Sequence, residues 1–138
     1  IHDSGVVTID PAVTVFVGQN EAGKTAFLHA LRKARPAEGG VAFDQTMDYP
    51  RRFLSDYEER HDGKPATVAV LTYELTEKEA KAINDAFGAE VIASREVTIT
   101  HKYGGSRTIT MSVNEKAVLK QVVEGRGLPV EAATVVTG

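Results

Sequence analysis

Residues 18–25 read Gly18-Gln19-Asn20-Glu21-Ala22-Gly23-Lys24-Thr25 and fit the spacing G-x-x-x-x-G-K-[ST]. That spacing suits the capture of a polyphosphate. The glycines let the backbone curl until successive N–H groups face one anion. A helix starting just after the second glycine turns its unspent N-terminal donors, and its positive dipole end, toward the same phosphates. Lys24 adds a point charge for the β- and γ-phosphates of ATP, and the Thr25 hydroxyl can take one coordination position on Mg²⁺. The expected binding residues therefore run from Gly18 to Ala26, with Lys24 as the catalytic group and Thr25 as the metal ligand.

Hydrolysis needs a second element, an apolar strand ending in Asp and usually Glu, which holds Mg²⁺ and orients water. "VAVLTYE" (68–74) has the apolar run but ends Thr-Tyr-Glu, so Glu74 reads as a strand-surface residue. "VVTID" (6–10) ends in Asp10 but precedes the loop. "DAFG" (85–88) spells the D-x-x-G of GTPases, yet it lies at the end of a capped helix. No N-K-x-D follows it, because "NEKA" (114–117) departs from that pattern. Arg51 and Arg52 could reach a phosphate in trans or touch DNA. The alternative is a solvated pair beside Asp48, Asp56, Glu58 and Glu59. His2, His29, His61 and His101 lack metal-ligand spacing; His61 reads as a loop residue and His101 as a packed one.

Several elements must position the cradle. Residues 6–10 and 13–17 ("VTVFV") are rich in β-branched residues and read as two short strands separated by Pro11. From Lys24 the period becomes helical, with Phe27, Leu28, Leu31 and Ala34 on one side and His29, Arg32 and Lys33 on the other. Pro36 and Gly39-Gly40 stop that helix. Residues 37–66 read as a loop with one short helical turn near 52–59. A strand follows at 67–75 and a helix at 76–88. The helix is signed by a Thr76/Glu79 capping box, an Ala80-Ile83-Phe87 stripe and Gly88 at its stop.

Residues 96–103 and 107–113 alternate around Gly104-Gly105-Ser106 and read as a β-hairpin. Val97, Ile99, His101 and Tyr103 share a face with Ile109, Met111 and Val113. A last helix starts near Asn114, carries Val118, Leu119, Val122 and Val123, and ends at Gly125 or Gly127. The sequence thus divides into a strand–loop–helix core at 1–36 and a β/α arm at 67–126, within a single partial α/β domain over 1–138.

With 42% hydrophobic and 25% charged residues the chain has a globular composition, and its 138 residues suffice for one domain with a core. The formal net charge is -3, without the basic excess of a protein devoted to nucleic acid. No apolar run reaches the ~20 residues of a membrane span. The absence of cysteine excludes disulfides and thiolate metal sites and fits the cytoplasm. Ile1 at the start and the apolar "EAATVVTG" at the end suggest a piece of a longer chain.

"GQNEAGKTAFLHAL" (18–31) resembles the P-loop of the ABC/SMC-like ATPases, a class that includes the SMC and RecF heads, double-strand-break repair heads and OLD-family nucleases. Asn20 is the most typical feature, similar in position to the carboxamide that reaches the γ-phosphate there. Glu21-Ala22 is the form associated with OLD-like proteins, and "DYPRR" (48–52) is a fainter echo of them. "IHDSGVVTID" resembles the second strand of such heads, so the resemblance places adenine near His2 and Asp3.

The resemblance, carried by residues 1–35, implies a P-loop NTPase lobe with a mixed sheet, an antiparallel hairpin arm and flanking helices. A first strand would precede residue 1, and Walker B and signature motifs would lie in a second lobe. It further implies a homodimer of heads joined by ATP, acting in DNA cleavage, DNA repair or defence against phage. The cofactors would be ATP and Mg²⁺, the partners that second lobe and DNA, with no membrane. Two other readings remain open, a nucleotide-binding module without turnover and a small-molecule kinase.

Overall fold

A computed structural model describes residues 4–19, 23–34, 42–88 and 90–125. The elements are α1 (Lys24–Ala34), α2 (Gln45–Asp48), α3 (Tyr57–Arg60), β1 (Thr67–Glu74), α4 (Glu77–Phe87), β2 (Ile92–Lys102), β3 (Arg107–Val113) and α5 (Glu115–Gly125). The class is mixed α/β, and the three strands form one sheet in the order β1-β2-β3. Its pairing is antiparallel: the Leu75 N–H donates to the Arg95 carbonyl at 2.8 Å, and the Tyr103 N–H to the Ala66 carbonyl at 3.1 Å. Across the same pair the Thr72 and Thr98 hydroxyls meet at 3.2 Å.

The hairpin closes where the Lys102 N–H donates to the Ser106 carbonyl at 2.9 Å. Its turn is Tyr103-Gly104-Gly105, one residue earlier than the sequence suggests. Gly104 and Gly105 take φ of 78° and 83°, a region that side chains with a Cβ avoid. The shift lets Tyr103 leave the strand and enter a core. β2 also starts at Ile92, four residues before the expected Glu96, because Asn84 organises its entry.

The chain divides into two compact units, 1–70 with 100–108, and 71–99 with 109–138. In the first, Phe43, Tyr57, Ala66 and Tyr103 are buried, and Ala30, Ala34, Tyr49, Val68 and Ala69 pack against them. Tyr49 stands edge-on to Tyr57 and Tyr103, at centroid distances of 4.8 and 5.6 Å. Each such contact stabilises by about 0.5–1.5 kcal/mol beyond area burial. The Tyr57 hydroxyl accepts from the Ala66 N–H at 2.8 Å, so burying it leaves no orphaned oxygen. His101 is half-buried with its ring against Phe43, at 5.9 Å.

In the second unit Val91 and Val123 are buried. α4 carries the expected cap: the Thr76 hydroxyl accepts from the Glu79 N–H at 3.3 Å, and the Glu79 carboxylate accepts from the Thr76 N–H at 2.9 Å. Gly88, with φ of 70°, ends the helix in a left-handed turn. The Asn84 Oδ1 accepts from the Val91 and Ile92 N–H groups at 2.9 and 3.1 Å, fixing where β2 begins. Asn114 caps α5, with its Oδ1 accepting from the Ala117 N–H at 3.3 Å.

Two expectations need correction. Residues 6–10 and 13–17 are not strands, and they join no sheet among the described residues. The strand part of the 1–36 core is therefore an irregular run, and the described sheet is antiparallel rather than mixed. β-Branched residues favour a strand only where a neighbouring strand and a packed face receive them. Here Val6, Val13, Val15 and Val17 are exposed, at 101%, 73%, 73% and 87%. Asp10 instead directs the backbone into a turn. Its Oδ1 accepts from the Ala12 and Val13 N–H groups at 2.7 and 3.1 Å, while the Asp10 N–H donates to the Thr14 hydroxyl at 2.8 Å. These two N–H donors hold the Asp10 carboxyl below its ordinary range, that of Val13 most strongly.

Candidate functional site

The run from Thr14 to Gln19 leads into α1 and is fastened to it by an aromatic pair, Phe16 against Phe27 with centroids 4.9 Å apart. Thr14 and Phe16 are half-buried, and the alternating Val13, Val15 and Val17 face outward. At the helix entry Gly23 has φ of 90°, a conformation that favours glycine, and its carbonyl accepts from the Phe27 N–H at 3.0 Å as the first helical bond.

Lys24, the first residue of α1, turns its side chain back along the loop. Its Nζ donates to the Gly18 carbonyl at 2.7 Å and to the Gln19 carbonyl at 2.6 Å. The two ends of the glycine-bounded loop are thereby tied together through one ammonium. Thr25 and Ala26 stand exposed on the first helical turn. Gly18, Gln19, Gly23, Lys24, Thr25 and Ala26 are thus gathered at one helix N-terminus. Asn20, Glu21, Ala22, His2 and Asp3 lie outside the described residues, as do Pro36, Gly39-Gly40, Gly127 and "EAATVVTG".

The far end of α1 is anchored separately. Lys33 Nζ lies 2.8 and 2.6 Å from the two carboxylate oxygens of Asp48. Asp48 Oδ2 also accepts from the Asp44 N–H at 2.8 Å, and Asp44 Oδ1 from the Met47 N–H at 2.8 Å. Desolvation pushes the Asp48 carboxyl up, but the Lys33 and Asp44 hydrogen bonds and the charges of Lys33 and His29 outweigh it, so its pKa lies below the ordinary 3.8. Tyr103, whose hydroxyl points at the Asp48 carbonyl from 3.5 Å, is pushed up to about 12 by burial and then by the Asp48 charge.

Other sequence candidates resolve into structural roles. Asp85 of "DAFG" pairs with Lys81 at 2.6 Å inside α4, and Gly88 is the cap of that helix. "NEKA" is the start of α5. Glu74 pairs with Arg95 at 2.8 Å on the strand surface. An open 710 Å³ concavity in the second unit is lined by Glu77, Lys81, Asn84, Asp85 and Arg95, whose polar groups are engaged with these neighbours.

Two arrangements escape the sequence reading. Tyr49 and His61 share a part-buried hydrogen bond at 3.0 Å between the Tyr49 hydroxyl and the His61 Nε2. Arg52 and Arg60 place their guanidinium carbons 4.4 and 4.3 Å from the Phe53 ring centroid. Neither pairing has a sequence period to announce it, since a 3₁₀ turn at 51–53 and a single-turn helix at 57–60 intervene. Among the described residues no helix is long and apolar enough to cross a membrane. Compared with protein-family models, with curated proteins and with solved structures, the chain matches none of them.

Proposed function

We propose that the chain binds Mg-ATP through residues 18–26 as the first lobe of an ABC/SMC-like, OLD-type P-loop ATPase head. The observation that carries this reading is Lys24, which bends back from the first turn of α1 onto the Gly18 and Gln19 carbonyls within a G-x-x-x-x-G-K-T sequence. An ammonium held between the loop and a helix N-terminus is placed to trade those carbonyls for phosphate oxygens. The residues fit the metal as well. Mg²⁺ keeps most of its shell as water and phosphate, so a single exposed hydroxyl such as Thr25 suffices from this side. The ion would neutralise charge building on the transferring phosphoryl group.

In this reading a second lobe and a second protomer complete hydrolysis, and ATP joins the heads reversibly in DNA cleavage, repair or phage defence. Calorimetric titration of Mg-ATP into the chain and into Lys24→Ala, with circular dichroism on both, tests it. Saturable binding that is lost in folded Lys24→Ala supports the assignment. Equal affinity in the two proteins overturns it.

A specific observation favours a second reading, a nucleotide-binding module without turnover. Glu74, which ends the apolar strand after the loop, is committed to Arg95 rather than left to orient water. Lys24-dependent phosphate release by the complete parent chain separates an ATPase from such a module.

A further inference from the structure

We infer that the outer edge of β3 pairs antiparallel with β3 of a second copy of this chain, about a two-fold axis through Met111. Among the described residues β3 borders β2 alone, so one of its sides carries no strand. The Lys102 N–H donates to the Ser106 carbonyl. Backbone groups alternate sides along a strand. Even-numbered residues of β3 therefore spend theirs on β2, while Arg107, Ile109, Met111 and Val113 direct theirs outward. Every residue of β3 except Met111 is exposed, Ile109 at 57% and Val113 at 42%. Edge strands that stay single are guarded by charges or by proline within them. From Thr108 to Val113 there is neither.

The edge matches itself. Pairing about Met111 sets Ile109 opposite Val113 of the second copy and Met111 opposite its own equivalent, with Thr110 opposite Ser112 on the other face. The three apolar contacts join outward-directed residues, so each strand's spare donors meet the other's spare acceptors. Arg107 and Glu115 lie four residues either side of Met111. The same register therefore brings Arg107 to Glu115 of the second copy, at the first turn of α5, and the axis makes this contact twice. Both side chains are exposed, and neither has an ionic partner among the described residues. A parallel pairing would set like charges side by side instead. Each copy has one such edge, so the pairing closes at two and does not propagate. It is independent of the nucleotide reading, since it uses no residue of 18–26.

The test is sedimentation velocity of the full chain, without nucleotide, from dilute to millimolar protein, with amide hydrogen exchange at both ends of the series. One strand pair should bury less than the about 1,200 Å² of a standard interface, so the dimer grows in with concentration. The Ile109, Met111 and Val113 amides gain protection in step with it, whereas those of Thr108, Thr110 and Ser112 are protected throughout. Arg107→Glu alone and Glu115→Arg alone each weaken association roughly tenfold, because each opposes like charges at both ends of the pair. An equimolar mixture of the two single variants recovers parental association, and so does the double variant, because unlike charges again face each other. Circular dichroism establishes that each variant is folded. A chain that stays monomeric at millimolar concentration, a dimer indifferent to the single reversals, or single variants whose mixture fails to recover would overturn the pairing. So would protection of the three amides that does not change with concentration, which would assign the edge to another part of the same chain.

Discussion

The Lys33 ammonium lies 2.8 and 2.6 Å from the two carboxylate oxygens of Asp48, so the last turns of α1 are pinned to the short helix α2. Both side chains are only about a quarter exposed, at 23% and 26%. The partial exclusion of water strengthens the pair beyond an ordinary surface bridge, and Asp44 supplies a further donor. A double-mutant cycle with Lys33→Ala and Asp48→Ala should return a coupling of about 1 kcal/mol in denaturant unfolding. The sign with pH follows from the lowered carboxyl. Its stabilisation is present above the ordinary 3.8 and is lost as pH falls through the folded value. Melting temperature should drop below pH 4 less steeply in Asp48→Ala than in the parent.

Tyr103 gives the opposite end of the pH scale. Burial, and then the Asp48 charge, hold its phenol neutral up to about 12, against 10.0 for a free tyrosine. The folded form keeps its proton where the unfolded form gives it up. Stability is therefore complete below pH 10 and falls as pH rises toward 12. Tyr103 should ionise late in an absorbance titration at 295 nm, and Tyr103→Phe should remove that late phase. A late phase that survives the substitution would reassign the buried phenol.

Helix α4 should stand or fall on its ends. Thr76→Ala removes the oxygen that accepts from the Glu79 N–H, at a cost of about 1 kcal/mol. Gly88→Ala forces a Cβ into φ of 70°, about 1–2 kcal/mol, and sets it 2.9 Å from the Gln121 Nε2. The amide is the end of a flexible side chain and can swing away, so backbone strain dominates. Chemical denaturation of the two single variants and the double checks both figures. Near-additive losses are expected, since the two ends share no partner.

What the sequence made legible was local. The capping box at Thr76, the stop at Gly88 and the start of α5 at Asn114 each depend on residues within a turn of one another. The hairpin was legible for the same reason, except that its turn is centred on Gly104, and Tyr103 gains more by burial than by staying in the strand. What was not legible depended on distant partners. Val13, Val15 and Val17 have strand propensity, but a strand also needs a neighbour to bond it. Asp10 outcompetes the extended form locally through two backbone N–H groups. The aromatic group of Tyr49, Tyr57, His61 and Tyr103 joins residues from two separate stretches, which no period in either could reveal. In the glycine-bounded loop, the start of the helix at Lys24 was legible, while the fold of Lys24 onto Gly18 and Gln19 was not.

If the loop binds Mg-ATP as proposed, that fold of Lys24 bears on what it recognises. Its ammonium sits 2.7 and 2.6 Å from two carbonyls, a fit for a compact charge with three donors. A guanidinium carries the same charge on a broad plane and cannot enter between two oxygens so placed without moving the loop. Lys24→Arg should therefore lose Mg-ATP affinity by tenfold or more in calorimetric titration, although no charge is lost. The Gly18 and Gln19 carbonyls are exposed and turn to water when the lysine is removed, so thermal stability of Lys24→Ala should fall by no more than about 1 kcal/mol. Affinity retained in Lys24→Arg would mean the loop reads charge alone, and the close approach of Lys24 to its carbonyls would then have no part in recognition.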